Sequence, residues 1–434
     1  MIYHSTKDYN VTASIREAVL HGYAPDGGQY LPEKIPTLPK AFMMNLGDMT
    51  LQEVSYAIAN YALQGDIDAQ VLHDVVFETL NFPIPLIEMG DNRHILELFH
   101  GPTMSFKDIG TRFMARLLGH FIRRSGSDEL VNVLVATSGD TGSAVANGFL
   151  GVPGIHVYVL YPKGKVSPIQ ECQFTTLGQN ITALEVDGVF DDCQALVKSA
   201  FMDAELSAHM RLTSANSINV ARFLPQSFYY FYACAQLQRR GWQGKTVACV
   251  PSGNFGNMCS ALIGKRMGLP VHRFIAANNA NDVFYKYLQT GEYAPMASLQ
   301  TIANAMDVGD PSNFARILDL YGHSVEAIRK DISGATYSDA QIASTLRSCL
   351  HETGYQLDPH GACGYRALQE GLGEDEVGFF LETAHPAKFK SVVEDITGQS
   401  VAIPPRLAAF MKGEKQSVPM SRDFQDFKAF LMAQ

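Results

Sequence analysis

Apolar runs alternate with amphipathic segments along most of the chain after Pro85, and this alternation is the main structural signal in the sequence. Continuously apolar runs predict strands that are covered on both faces, and the segments between them have apolar positions at helical spacing. The predicted strand segments are "HILELF", "LVNVLVAT", "IHVYVLY", "ITALEV", "TVACVP", "HRFIAA" and "VGFFLETA". The pattern therefore predicts an α/β protein with doubly wound parallel sheets, more than one in number.

The first ~85 residues have a different hydrophobic pattern, with short segments of mixed polarity in place of long apolar runs. A Gly- and Pro-rich turn, "APDGGQYLPEKIP", precedes two segments with helical periodicity at residues 51–61 and 69–80. We expect these segments to form two helices of a separate N-terminal region.

Charge and composition limit the classes of partner. The 434-residue chain has 34 Lys and Arg against 44 Asp and Glu, a formal net charge of −10, and 46% of its residues are hydrophobic. This length and apolar content predict two or three domains with a substantial core. Because the chain has no general basic field, we expect neither nucleic acid nor a membrane as a partner. Any phosphate must then be held by a local site.

The seven cysteines are scattered along the chain without paired short spacing. This distribution disfavours a zinc site or a disulfide framework, so we expect no metal and mostly buried thiols in a reducing compartment. The opening segment "MIYHSTKDYN" lacks the apolar core of a secretion signal, and no run of about 18 apolar residues suggests a membrane span. These features predict a cytoplasmic location.

Lys107, within "GPTMSFKDIGTRF" at residues 101–113, has an unusual position for a lysine. Ser105 and Asp108 have the spacing of a capping box, and the apolar positions that follow predict a helix beginning near Phe106. The macrodipole disfavours a cation in the first turn, so the Lys107 ammonium group should lose its proton more readily than a surface lysine. A neutral amine suits Schiff-base chemistry, whereas the alternative is a lysine whose head simply reaches water.

Two glycine-rich loops follow predicted strands and precede predicted helices. They are "ATSGDTGSAV" at 136–145 and "PSGNFGNMCS" at 251–260. Glycines let backbone N–H groups approach an anion, and the helix that follows adds its free amides, so either loop could hold a phosphate or a carboxylate. Neither loop has the spacing of a dinucleotide fingerprint, and "GKT" at 244–246 lacks the upstream glycine of a P-loop. A reactive lysine with two anion-binding loops is what pyridoxal phosphate and an amino-acid substrate require.

Six separated motifs resemble those of the threonine synthases, in the longer form found in bacteria and fungi. They are "GYAPDGGQYLPEKIP" (22–36), "FHGPTMSFKDIG" (99–110), "TSGDTG" (137–142), "SANSINVAR" (214–222), "SGNFGN" (252–257) and "ETAHPAKF" (382–389). The resemblance covers essentially the whole chain in order. It implies the tryptophan-synthase-β-like fold (fold type II), pyridoxal 5'-phosphate as cofactor, and conversion of O-phospho-L-homoserine and water to L-threonine and phosphate.

The resemblance also implies roles for individual residues. Lys107 corresponds to the lysine that binds the cofactor aldehyde, and Thr383 to the hydroxyl that faces the pyridine nitrogen. Asp140 would approach both the cofactor ring and the substrate. The loop that holds the cofactor phosphate corresponds to Gly253, Asn254, Phe255, Gly256 and Asn257. The substrate carboxylate and phosphate would be held by Thr137, Ser138, Asp140, Thr141, Asn216, Ser217 and Arg222.

A hydroxyl beside the pyridine nitrogen would not keep that nitrogen protonated, so proton transfer by a nearby base becomes more important. We hypothesise that Lys107 removes the Cα proton and assists loss of the Cβ proton, after which phosphate leaves from Cγ and water adds at Cβ. The departing phosphate, held by Arg222 and Thr141, would help to deliver the water.

Three alternatives remain open. A related lyase would eliminate phosphate from the same substrate and give 2-oxobutyrate, and a catalytically silent relative would act as a binding module. An α/β oxidoreductase is disfavoured because the dinucleotide fingerprint is missing. His100, Asp358 and His360 have no assigned role, although "LDPHGACG" at 357–364 is interpreted as a helix start. His385 is interpreted as structural.

The predicted domains are an N-terminal domain (1–90), a large cofactor domain (91–124 and 212–434) and a small domain (125–211). We expect the substrate to lie between the last two, with closure of the small domain excluding water. The sequence does not distinguish a monomer from a homodimer.

Overall fold

The computed structural model describes residues 1–63, 65–126 and 129–434. Contacts between backbone positions divide the chain into two compact units. The first unit comprises Met1–Glu33, Lys107–Arg222 and Ile403–Gln434, and the second comprises Lys34–Phe106 and Phe223–Ala402. The division into domains 1–90, 91–124 with 212–434, and 125–211 stays a prediction.

The strands follow in chain order. They are β1 (Ile2–Ser5), β2 (Thr12–Ser14), β3 (Tyr30–Pro32), β4 (Leu86–Glu88), β5 (Arg93–Glu97), β6 (Val131–Ala136), β7 (Ile155–Pro162), β8 (Ile181–Val186), β9 (Arg211–Ser214), β10 (Lys245–Pro251), β11 (Arg273–Asn278), β12 (Ile332–Thr336), β13 (Glu376–Glu382) and β14 (Val418–Met420).

The helices of the first half of the chain are α1 (Ile15–His21), α2 (Lys40–Met44), α3 (Leu51–Leu63), α4 (Ala69–Thr79), α5 (Lys107–Ser125), α6 (Asp140–Phe149), α7 (Pro168–Thr175), α8 (Phe190–Met202), α9 (Ala204–His209) and α10 (Val220–Phe223). Those of the second half are α11 (Ser227–Arg239), α12 (Gly256–Met267), α13 (Val283–Thr290), α14 (Phe314–Leu320), α15 (Val325–Asp331), α16 (Asp339–Thr353), α17 (Pro359–Gly371), α18 (Lys390–Thr397), α19 (Pro405–Phe410) and α20 (Phe424–Met432). Short 3-10 turns lie at Leu46–Asp48, Leu224–Gln226, Asn304–Met306 and Pro386–Phe389.

The first unit is built on a five-stranded sheet in the order β14-β8-β7-β6-β9, with every pair parallel. Every residue of β6 is buried, so both faces of the sheet are covered there. Helices α6 and α8 each pack against β6 and β7. A small antiparallel sheet, β2-β1-β3, adds the N-terminal residues to this unit.

The second unit is built on a six-stranded sheet in the order β12-β11-β10-β13-β5-β4. The pairs are parallel except that β4 runs antiparallel to β5. Helix α17 packs against β10, β11 and β13, and its apolar side chains join a core cluster with those of α16. The prediction of more than one parallel sheet in an α/β protein is confirmed, because all seven predicted apolar runs form strands of these two sheets.

The start of α5 corrects one prediction. The helix begins at Lys107, as expected, but Ser105 does not cap it, because its buried hydroxyl oxygen has no hydrogen-bond partner. Ser105 instead pairs with Ala384 in an isolated antiparallel bridge.

Two further predictions concern side-chain burial and hydrophobic segments. Six of the seven cysteines are buried thiols, and Cys172 is half-buried, as the absence of paired spacing suggested. Among the described residues, no helix is both long and apolar enough to cross a lipid bilayer.

Candidate active site

Lys107 is the first residue of α5 and is half-buried. One turn further along the helix, Gly110 packs directly on Arg222, and a side chain at Gly110 would collide with the Arg222 carbonyl oxygen. Glycine at this position therefore allows the first turn of α5 to approach the 216–222 segment closely. Within the first unit, the structure thus brings the predicted reactive lysine near the predicted phosphate-binding arginine.

The loop between β6 and α6 carries the predicted carboxylate-binding residues. The Thr137 hydroxyl oxygen accepts hydrogen bonds from the backbone N–H groups of Gly139 (2.9 Å) and Gly142 (2.7 Å), so this side chain shapes the turn. Gly139 has a φ of 144°, which favours glycine. Ser138 and Thr141 are half-buried near the start of α6.

Asp140 is held by a residue that the sequence did not suggest. The Gln170 side-chain amide donates a hydrogen bond to Asp140 Oδ1 at 2.8 Å, and both residues are buried. A Cβ atom on Gly139 would lie 2.6 Å from the Gln170 side chain, so the loop and this glutamine are in direct contact. Gln170 is 30 residues from Asp140 in the chain, and no local pattern marks the contact.

Asn216 connects the 216–222 segment to the same loop. Its side-chain oxygen accepts a hydrogen bond from Ala136 N (3.2 Å), and its side-chain nitrogen donates one to Ala136 O (2.9 Å). Ala136 is the last residue of β6, directly before Thr137. The Asn216 amide therefore fixes the position of Ser217 and its neighbours next to the loop, and its predicted contact with substrate stays a prediction.

Arg222 supplies a buried positive charge in the first unit. Its side chain donates a hydrogen bond to the Ala215 carbonyl oxygen, and the residue is only 2% exposed. Burial lowers the pKa of the guanidinium to about 10, so it remains charged at neutral pH. A buried guanidinium with several N–H donors is suited to binding a phosphate group.

The predicted phosphate loop lies in the second unit, between β10 and α12. Phe255 adopts a left-handed backbone conformation with a φ of 61°, and its buried ring packs on Phe284 with ring centroids 4.5 Å apart. A Cβ atom on Gly253 would lie 2.6 Å from the Met306 Cα atom. The loop therefore follows a path in which backbone amides at the start of α12, from Gly256 onward, are available to an anion.

Asn254 anchors the loop to the segment before α14. Its side-chain oxygen accepts hydrogen bonds from Ser312 N (2.7 Å) and Ser312 Oγ (2.9 Å), and its carbonyl oxygen accepts one from the Asn313 side chain (2.9 Å). The Asn254 side-chain oxygen thus stabilises the loop conformation.

Asn257 presents a buried donor in the first turn of α12. Its side-chain oxygen accepts hydrogen bonds from the hydroxyl groups of Tyr229 (2.5 Å) and Tyr230 (2.6 Å). Its side-chain nitrogen is buried and has no hydrogen-bond partner. A buried amide donor without an acceptor is unfavourable unless a ligand supplies one, and a phosphate oxygen would do so. The loop thus fits a phosphorylated cofactor.

Thr383 directly follows β13 and is buried. Its carbonyl oxygen accepts a hydrogen bond from Phe106 N at 2.8 Å, and Phe106 immediately precedes Lys107 in the chain. Nearby, the His385 ring nitrogen Nδ1 accepts from Ala387 N (3.1 Å), which agrees with the structural interpretation of this residue. Burial lowers the pKa of His385 to about 4, so the ring is neutral at pH 7.

The predicted site residues therefore lie in two groups. The first unit contains Lys107, the 137–142 loop and the 216–222 segment, and the second unit contains the 252–257 loop and Thr383. Their joint action on one ligand stays a prediction.

Comparison with known proteins defines the class. The family model described as pyridoxal-phosphate dependent enzyme matches residues 91–382, and models of the threonine synthase N terminus and C-terminal region match residues 2–80 and 361–431. The chain is therefore a pyridoxal-phosphate-dependent enzyme of fold type II.

Similarity over the whole length defines the family. The chain is 41% identical to threonine synthase from Escherichia coli over 99% of both chains, and the crystal structure of that enzyme superposes with a TM-score of 0.94 over 100% of each. Threonine synthases from Brucella melitensis, in a PLP-bound structure, and from yeast are 33% and 31% identical, with TM-scores of 0.92 and 0.88 over at least 98% of each chain. The chain belongs to the threonine synthase family.

The geometry around Asn257 gives a testable prediction. Replacing Tyr229 and Tyr230 together by phenylalanine removes the two hydroxyl donors that orient the amide, so we expect pyridoxal phosphate to bind about tenfold more weakly. Titration of the full-length chain with the cofactor, followed by absorbance, would measure the change. Tyr232→Phe, on the same helix, is the control and should bind the cofactor as the wild type does. Unchanged affinity of the double variant would show that the tyrosines do not orient Asn257.

Proposed function

We propose that the chain converts O-phospho-L-homoserine and water to L-threonine and phosphate. The observation that carries the proposal is Arg222, a guanidinium that is almost fully buried in the unit that contains Lys107. A charge that is held out of water favours a substrate with a phosphate group over an uncharged side chain.

Bound pyridoxal phosphate would withdraw electrons from the bonds at Cα of the substrate. The 252–257 loop would hold its phosphate through backbone amides and the Asn257 side chain, and Thr383 would face its ring nitrogen. Asp140, fixed by Gln170, would approach the ring from the 137–142 loop, where Thr137, Ser138 and Thr141 would help to hold the substrate carboxylate.

Lys107 would move the protons. Its free amine would take the proton from substrate Cα and then assist removal of a proton from Cβ, and the C–O bond at Cγ would break as phosphate leaves. Arg222 and Ser217 would bind the departing phosphate. After Lys107 returns a proton to Cγ, the oxygen of a water molecule would bond to Cβ while the proton released from that water passes to the departing phosphate. A second proton, returned to Cα, would complete L-threonine.

The proposal is tested with purified protein loaded with pyridoxal phosphate and supplied with O-phospho-L-homoserine, by measuring phosphate, threonine and 2-oxobutyrate in the same samples. Threonine equal to phosphate is the expected result, and L-homoserine, which lacks the phosphate, should give no product. Phosphate accompanied by 2-oxobutyrate would instead identify a lyase, and no phosphate from folded, loaded protein would identify a silent relative.

A further inference from the structure

Three ionisable side chains are buried together in the second unit without a role in the proposed reaction. Glu382 and Asp358 are 0% exposed, and His360 is 2% exposed. Glu382 is the last residue of β13 and directly precedes Thr383. Asp358 and His360 lie at the start of α17, which confirms the helix start predicted from "LDPHGACG". Ionisable groups are rarely buried in this way unless they are hydrogen-bonded to one another.

The hydrogen bonds of His360 define its protonation. Its Nε2 atom accepts a hydrogen bond from Ala305 N at 3.1 Å, so Nε2 carries no proton. Its Nδ1 atom lies 2.5 Å from Asp358 Oδ1, and this atom must therefore be the donor. The neutral Nδ1–H form of His360 thus joins the Asp358 carboxylate to the backbone at Ala305.

Asp358 is bound on its other side to Glu382. Asp358 N donates a hydrogen bond to Glu382 Oε1 at 2.7 Å, which places these two buried acidic residues next to each other. Glu382 Oε2 and Asp358 Oδ2 are both buried, and neither oxygen has a hydrogen-bond partner among the described residues. Gly361 makes the arrangement compact, because any side chain there would collide with the Glu382 carboxyl group.

Ionisation of both of two adjacent buried carboxyl groups is unfavourable, which favours a single proton held by the pair. Burial raises the pKa of Glu382 well above its usual range, and the negative charge of Asp358 raises it further. The proton is therefore assigned to Glu382, where it can supply the donor that the buried Asp358 Oδ2 lacks. A connected series of polar contacts then joins Glu382, Asp358, His360 and Ala305, in which Ala305 N donates to His360 and His360 donates to Asp358.

The two ends of this series lie at two parts of the proposed cofactor site. At one end, Glu382 is followed by Thr383. At the other end, Ala305 and Met306 form the Asn304–Met306 turn, and Met306 lies directly against Gly253 of the phosphate loop. A shift of this turn would displace Gly253, because the contact is made by backbone atoms on both sides.

We propose that Glu382, Asp358 and His360 are positioning residues that hold the strand end at Thr383 and the turn behind Gly253 in a fixed relation, through one proton shared by two carboxyl groups. This proposal rests on the proposed function, which places cofactor phosphate at the 252–257 loop. The three residues do not contact the reacting atoms and act through Thr383 and Gly253.

Amide substitutions test the shared proton. Glu382→Gln replaces a protonated carboxyl group by a group of the same shape, whose N–H can donate to Asp358, so its melting temperature should match that of the wild type within about 2 °C. Adding Asp358→Asn removes the remaining charged acceptor. The two new side-chain amides, at positions 382 and 358, would then face each other with N–H groups and no acceptor between them. The double variant should melt about 5 °C lower than the sum of the two single changes predicts. Additive changes, or a Glu382→Gln variant as damaged as the double variant, would overturn the shared proton.

His360→Asn tests the positioning role. The asparagine amide can still donate to Asp358, but no acceptor remains for Ala305 N, so the turn behind Gly253 loses its support. We expect the dissociation constant for pyridoxal phosphate to rise about tenfold, while that for pyridoxal, which has no phosphate group, changes less than about twofold. His323→Asn, at an exposed histidine of the same unit, is the control for both ligands.

The two ligands separate the possible failures. Equal loss of affinity for pyridoxal phosphate and pyridoxal, or no loss for either, would overturn the positioning role while the wild type still binds the cofactor. If wild-type protein has no higher affinity for pyridoxal phosphate than for pyridoxal, the phosphate loop itself is misassigned, and the proposed function fails with the inference that rests on it.

Discussion

Lys107→Ala is expected to abolish turnover of O-phospho-L-homoserine, with a loss of kcat of at least about a thousandfold. The variant has no amine at the start of α5, so it can neither bind the cofactor aldehyde covalently nor transfer protons at Cα and Cβ. The near-ultraviolet and visible absorbance of cofactor bound to a lysine should also disappear after dialysis. A steady-state assay and an absorbance spectrum of the same preparation would measure both effects.

The control for this experiment is Lys163→Ala, because Lys163 is an exposed lysine of the same unit. It should retain wild-type turnover and absorbance. The Lys107→Ala variant should keep the circular dichroism of the wild type, since alanine favours the helical conformation at least as well as lysine. Retention of the lysine-bound absorbance by Lys107→Ala would show that another lysine binds the cofactor.

Gly253→Ala is expected to weaken binding of pyridoxal phosphate by about tenfold to a hundredfold, through overpacking of the phosphate loop. The new Cβ atom would lie 2.6 Å from the Met306 Cα atom, and the obstacle is backbone rather than the end of a flexible side chain. The loop must therefore move away from the Asn304–Met306 turn, and the amides of α12 then no longer converge on the phosphate. Equilibrium titration with the cofactor measures this effect.

Gly264→Ala, in the middle of α12, is the matched control. A Cβ atom there would meet only side-chain atoms, the nearest at 3.3 Å, so a small side-chain adjustment accommodates it. Alanine also favours a helix interior over glycine by about 1 kcal/mol, which offsets the adjustment. If both variants bound the cofactor as the wild type does, Gly253 would not shape the phosphate site.

The sequence predicts the central strands well and the edge strands poorly, for a physical reason. Central strands such as β6 and β13 are buried along their whole length, so most of their residues are apolar. The edge strands β4 and β14 have only three residues each, and β12 is largely exposed or half-buried, so none of the three contains a long apolar run. A strand with one neighbour has less need of apolar side chains, so composition alone does not distinguish it from a loop.

The same distinction applies to the candidate site. The glycine-rich loops and Lys107 can be recognised in the sequence because each motif consists of residues that are adjacent in the chain. Gln170, Tyr229 and Tyr230, which hold Asp140 and Asn257 in place, lie about 30 residues from their partners, and no local pattern marks them. The predicted cap at Ser105 was wrong because a bridge to Ala384, 279 residues away, overrides local capping.

Arginine rather than lysine at position 222 keeps the proposed phosphate site charged over the whole physiological pH range. With a pKa of about 10, only about one guanidinium in a thousand is neutral at pH 7. A lysine at the same depth would start from a lower pKa and would be neutral in a larger fraction of molecules. The site can therefore be buried away from water and still remain positively charged because residue 222 is an arginine.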